Sequence, residues 1–158
     1  MAGIFSASDV LTAAQEIEQR GRVFYTRLAE TATEPQLADT FRFLAQEEEK
    51  HWQVFYDIAR RVGEVELPAW ATEDEYVQYL TALIDAHALF RLGDMDALRR
   101  FAGSREEALT AAMGFEKDTI VFFLEMRELV PQGERAAVED CVAEERRHLR
   151  LLAGLVRK

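Results

Sequence analysis

Two stretches of this chain repeat each other, with the same polar residues set into the same apolar pattern. A shift of 98 residues places Ser6 on Ser104, Leu11-Thr12-Ala13-Ala14 on Leu109-Thr110-Ala111-Ala112, Glu18 on Glu116, and Val23-Phe24 on Val121-Phe122. A shift of 97 then superposes Glu48 on Glu145 and His51 on His148. A fixed internal repeat restricts the fold to two copies of one supersecondary unit packed together.

That unit is a helical hairpin. Apolar residues recur at helical spacing almost everywhere, and no stretch shows the strict alternation that argues strands, so the chain reads as all-α. Ser6-Ala7-Ser8-Asp9 has the form of a capping box and predicts a first helix from near Ser6 to about Thr31. After Thr33-Glu34, Pro35 fits only a first helical turn. The second helix then carries Leu37, Phe41, Leu44, His51, Phe55 and Ile58 to a stop at Gly63. A second capping box, Ser104-Arg105-Glu106-Glu107, opens a third helix that breaks at Pro131-Gln132-Gly133, and a fourth continues to near Val156.

Two hairpins give a four-helix bundle. Residues 64–103 join them and are too long for a tight turn, but they suit a crossover running the length of a bundle. Within the crossover, an amphipathic run from Tyr76 through Tyr79, Leu80, Leu83, Ile84 and His87 to Phe90 predicts one helix. A shorter helix is expected around Met95 to Phe101.

With 158 residues the chain supports one domain, 1–158, with a substantial core. Its formal charge of -10 repels nucleic acid phosphates and anionic membranes, so neither is an expected partner. The single cysteine, Cys141, excludes an internal disulfide and reads as a small buried hydrophobe. Nothing resembles a targeting segment or a membrane span, and a soluble protein of the reducing cytoplasm is expected.

The chemistry sits in the repeated polar residues. Residues three apart share a helix face, so Glu48 with His51, and Glu145 with His148, each present a carboxylate and an imidazole to one point. Glu18 and Glu116 come from the preceding helices, and pairing the hairpins gathers four carboxylates and two imidazoles. One Glu from each of two helices plus Glu-x-x-His from each of the other two is the arrangement of di-iron and di-manganese carboxylate centres. Four buried carboxylates without cations would be forced toward protonation or unfolding. Two divalent ions balance them with both histidines neutral. Oxygen and imidazole donors suit iron or manganese, and zinc, which is redox-silent, could also bind.

Glu-x-x-His alone is weak evidence in a chain with 29 acids, which could be solvated helix-face charges. Its weight comes from both copies falling at matching places in the repeat, each about 30 residues after a Glu followed by an aromatic pair. Glu47, Glu49 and Glu144 point away from these ligands by about 100° per residue and read as surface groups or supports of the ligands. Tyr25, two turns after Glu18, is either a core aromatic or a hydroxyl bonded to a metal ligand. His87, on the apolar stripe of the crossover, reads as a packed histidine.

At Glu18 to Phe24-Tyr25, Glu48-Glu49-Lys50-His51, Glu116 to Phe122-Phe123 and Glu144-Glu145-Arg146-Arg147-His148, the sequence resembles the rubrerythrin-like branch of the ferritin-like superfamily. The resemblance implies two iron ions that react with hydrogen peroxide or dioxygen. It further implies Glu48 and Glu145 bridging them, Glu18 and Glu116 as terminal or bridging ligands, and one histidine capping each metal. Rubrerythrins proper add a rubredoxin-like domain with four cysteines. With only Cys141 here, the resemblance implies an external electron donor. The family's second glutamate, three residues after the third-helix ligand, is Thr119 in this chain, and Phe122-Phe123 lacks a tyrosine matching Tyr25. A homodimer is likewise expected only by resemblance.

Three functions are therefore distinguished. The first is peroxide or dioxygen reduction coupled to ferrous oxidation. The second is a ferroxidase that supplies an iron store without forming a cage itself. The third is a redox-silent metal-binding or metal-free helical protein with a structural or regulatory role.

Overall fold

A computed structural model of the chain describes residues 7–157. Four long helices carry the repeat: α1 (Val10–Thr31), α2 (Pro35–Arg61), α6 (Arg105–Leu129) and α7 (Arg135–Val156). Between them lie α3 (Glu73–Ala86) and the short helices α4 (Ala88–Arg91) and α5 (Met95–Arg99). Helix α1 packs chiefly on α2, and α6 on α7, with α1 meeting α6 and α2 meeting α7 to close the bundle.

The burial pattern shows why these helices pair. On α2 a buried seam runs through Leu37, Phe41, Leu44, Glu48, His51, Phe55 and Ile58 at alternating steps of four and three, with Ala38 buried beside it. Helix α7 buries Val138, Cys141, Glu145, His148, Leu152 and Leu155 in the same rhythm. Such a rhythm lays one seam of side chains against a partner helix. Each seam is apolar except at its middle, where a glutamate and a histidine occupy positions that packing would give to Leu or Ile.

The helix ends follow local chemistry. Ser104 and Glu107 form the expected capping box at the start of α6, and Pro35 occupies the first turn of α2. Pro131 and a 3-10 turn at Gln132–Glu134 separate α6 from α7. The capping box expected from Ser6 rests on a residue outside the described ones; among the described residues, a 3-10 turn at Ala7–Asp9 leads into α1.

The crossover departs from expectation. The run from Tyr76 to Phe90 is not one helix, because the backbone at His87 is extended (φ -65, ψ 134). Neighbouring elements supply the polar partners that compensate for the interruption. The imidazole Nδ1 of His87 accepts from the Leu89 amide at 3.3 Å, and Asp118 on α6 accepts from the Ala88 amide at 2.9 Å. The buried Arg20 of α1 donates to the Gly93 carbonyl at 2.6 Å and lies 4.0 Å over the Phe90 ring. Gly93 itself has φ +110, a conformation that favours glycine. Helix α3 also starts three residues before Tyr76, at a capping box of Thr72 and Glu75.

One glycine sets how closely α1 approaches α6. A Cβ at Gly21 would lie 2.5 Å from Phe115 Cζ and 3.2 Å from Glu48 Cγ, and the Phe115 ring is held against Tyr25 and His87. Replacing Gly by Ala in a helix ordinarily gains up to about 1 kcal/mol, whereas overpacking a core costs roughly 1–3 kcal/mol. Gly21→Ala is expected to lower stability by about 1 kcal/mol in denaturant titrations. Gly154→Ala, at a helical site with no neighbour within 4 Å, is expected to raise it by about 0.5 kcal/mol.

Candidate metal centre

The six residues singled out in the sequence meet at the middle of the bundle. Glu18, Glu48, Glu116 and Glu145 are 0% exposed, His51 1% and His148 3%. They form two clusters, Glu18-Glu48-His51-Glu145 and Glu48-Glu116-Glu145-His148, with the donor atoms of each lying within 4.8 Å of one another. Glu48 and Glu145 belong to both. Each cluster thus takes three groups from one hairpin and one from the other.

The donors face inward without being satisfied. Among the described residues, the buried side-chain nitrogen and oxygen atoms lacking a hydrogen-bond partner are both oxygens of Glu18 and Glu48, His51 Nδ1, Glu116 Oε2 and Glu145 Oε1. Every one of them belongs to this centre. His51 Nδ1 lies 2.8 Å from Glu145 Oε1 and 3.4 Å from Glu18 Oε2, yet the approach lacks hydrogen-bond alignment. Convergent, unpartnered carboxylate oxygens with an imidazole nitrogen match the donor set of a divalent transition metal, so the residues fit a dinuclear site.

Without cations, protons must supply the positive charge. Burial raises the Glu18 carboxyl despite nearby His51. It raises Glu48 and Glu116 strongly, with the charge of Glu145 adding to the effect. Burial would also raise Glu145, but the hydrogen bond from His148 and the close His51 imidazole outweigh it and hold this carboxyl below the ordinary range. The two imidazoles answer in kind. Burial alone would lower them, but the surrounding carboxylates win, raising His51 and pushing His148 up to about 9.

Around the donors stands a supporting set. The Tyr25 hydroxyl, fully buried, donates to Glu116 Oε1, and burial with the neighbouring Glu116 holds the phenol well above its usual pKa. Glu144 Oε2 lies 2.6 Å from His51 Nε2. Glu47 Oε2 lies 4.0 Å from His148 Nε2, and Glu49 instead pairs with Arg22 on the surface. Buried Cys141 is pushed up to about 12, chiefly by burial.

His87 stays outside the centre. Its Nε2 lies 3.0 Å from Thr119 Oγ1, and burial, with the charge of Arg20, lowers its pKa to about 3. The neutral ring therefore accepts at Nδ1 and donates from Nε2 to Thr119. Thr119 was not read from the sequence as a packing partner. The available signal was a threonine one turn beyond Glu116, at the repeat position held by Gly21.

The fold and site together define a helical bundle that encloses two carboxylate–histidine clusters sharing two glutamates, a candidate dinuclear metal site. The Rubrerythrin family profile matches residues 9–156, and the chain belongs to the rubrerythrin family. Among solved structures it matches a protein of Thermotoga maritima described as ferritin-like and diiron-carboxylate. The TM-score is 0.69 at 24% identity, covering 100% of this chain and 99% of the other. That likeness establishes the ferritin-like fold. No match was found among curated protein sequences. No helix among the described residues is long and apolar enough to cross a membrane.

The pKa directions fix a pH dependence. In metal-free protein, Glu18, Glu48 and Glu116 keep protons that an unfolded chain releases as pH passes 4.5. His51 and His148 keep protons released near 6.5 when unfolded. The folded state then binds more protons, so stability falls as pH rises, and the His148 contribution is lost through about 9. Glu145 acts in the opposite sense, its contribution being lost as pH falls below 4.5. The melting temperature of chelator-treated protein is expected to fall between about pH 5 and about pH 9, and divalent cations are expected to remove that slope.

Proposed function

We propose that the centre holds two iron ions and couples ferrous oxidation to the reduction of hydrogen peroxide or dioxygen. The observation that supports this reading is the pair of buried clusters sharing Glu48 and Glu145, because shared carboxylates would hold two ions side by side. Manganese or zinc would fit the same donors, and the family favours iron. Iron bound there supplies one electron per ion, so that one peroxide with two electrons and two protons becomes two waters.

The chain's own residues prepare the place for that chemistry. Glu48 and Glu145 serve both halves, Glu18 with His51 completes one, and Glu116 with His148 completes the other. Tyr25 holds one oxygen of Glu116, leaving Oε2 toward the centre without a partner. The aromatic wall of Tyr25, Phe41 and Phe115 keeps bulk water from this end and strengthens each electrostatic contact. An electron donor outside this centre restores the ferrous state.

Anaerobic loading with ferrous iron is expected to give about two irons per chain, with a near-ultraviolet ferric band that grows faster under peroxide than under air. A band that grows only under air would favour a ferroxidase, and tight zinc with no spectral change would leave a structural role. Ligand sharing makes a separate prediction, checked by elemental analysis. Glu145→Ala is expected to lose both ions, whereas Glu18→Ala is expected to lose only one.

A further inference from the structure

The two halves of the centre are not equivalent, and one difference lies in the carboxylate behind each histidine. The repeat supplies matching outer residues: Glu47 and Lys50 beside His51, and Glu144 and Arg147 beside His148. Each outer glutamate faces the histidine of the opposite hairpin. Glu144 meets His51 Nε2 at 2.6 Å, and its other oxygen lies 3.4 Å from Arg147. Glu47 is drawn to Lys50 at 2.5 Å and stands 4.0 Å from His148 Nε2, beyond hydrogen-bond reach.

The inner nitrogens differ to match. His148 Nδ1 is hydrogen-bonded to Glu145 Oε2 at 2.9 Å, whereas His51 Nδ1 lies 2.8 Å from Glu145 Oε1 without hydrogen-bond alignment. A carboxylate accepting from one ring N–H fixes the tautomer and the ring orientation, and it makes the opposite nitrogen a better metal donor. His51 has this support and His148 lacks it.

We propose that Glu144 is a positioning residue that makes the Glu18-Glu48-His51-Glu145 half of the centre fill first and hold its ion more tightly. Glu47, held by Lys50, leaves the His148 half the weaker one. The inference rests on the reading that the two clusters bind metal. It adds an order of filling and names the residue responsible.

Cobalt(II) is the probe, because its visible absorption reports each binding step without turnover. The intact chain is expected to take up two cobalt ions in steps whose affinities differ by about tenfold or more. Loss of such a supporting carboxylate typically costs about 10–100-fold in metal affinity. Glu144→Ala is therefore expected to weaken the first step by that factor and merge the two steps. Glu144→Gln, which keeps a hydrogen-bond acceptor, should recover part of the loss, and Glu47→Gln should leave the first step within about twofold. In NMR spectra of the one-cobalt protein, the exchangeable Nε2–H of His51 should appear as a shifted, slowly exchanging resonance that Glu144→Ala abolishes.

Two equal steps in the intact chain, or an unchanged first step in Glu144→Ala, overturn the proposal while leaving the metal centre standing. Failure of the intact chain to bind cobalt overturns both. The metal-free melting temperature of each variant separates a lost ligand support from a damaged fold.

Discussion

The structure depends on placing four carboxylates where a helical bundle normally puts leucine. Each buried anion carries a desolvation penalty of several kcal/mol, and mutual repulsion adds to it. The bundle can hold them only if their charge is compensated, whether by protons on the glutamates and on His51 and His148 or by cations. This requirement explains why the glutamates and histidines occur together and why they lie at the middle of the seams. Buried apolar residues on either side, such as Leu37, Phe41 and Leu44 before them and Phe55 and Ile58 after them on α2, stabilise the helices that carry them.

Much of this was legible in the sequence because the two periodicities agree. Glu48 and His51 fall on the same face as Leu44 and Phe55, and the second hairpin repeats the pattern with Glu145 and His148. A glutamate that keeps core register twice over points to a functional interior group, and all six positions do converge in the folded chain. The helix ends were also legible where chemistry is local, at Ser104, Pro35 and Pro131.

The crossover was less legible because its conformation is decided by partners distant in sequence. The apolar rhythm from Tyr76 to Phe90 is uninterrupted and by itself argues one helix. What breaks it is the hydrogen bonding of His87 to Thr119 and of Ala88 to Asp118, together with Arg20 reaching from α1. None of those contacts has a sequence signature. The early start of α3 was readable in Thr72 and Glu75, since that capping box is a local signal. The unequal surroundings of His51 and His148 could not be read either, since the repeat makes them look alike. They differ only through side-chain choices between hairpins.

The exchange of one carboxylate between hairpins has a consequence for how such a chain could arise. Glu145 completes the cluster of the first hairpin, and Glu48 completes that of the second. A lone hairpin therefore carries three quarters of a half-centre and lacks the piece that its own copy would provide. Two identical hairpins associating about a twofold axis could close a symmetric centre with no connecting segment at all. The crossover then serves as a tether between units that are already self-complementary. In one chain the two copies need not stay identical, and glycine at position 21 corresponds in the repeat to threonine at position 119.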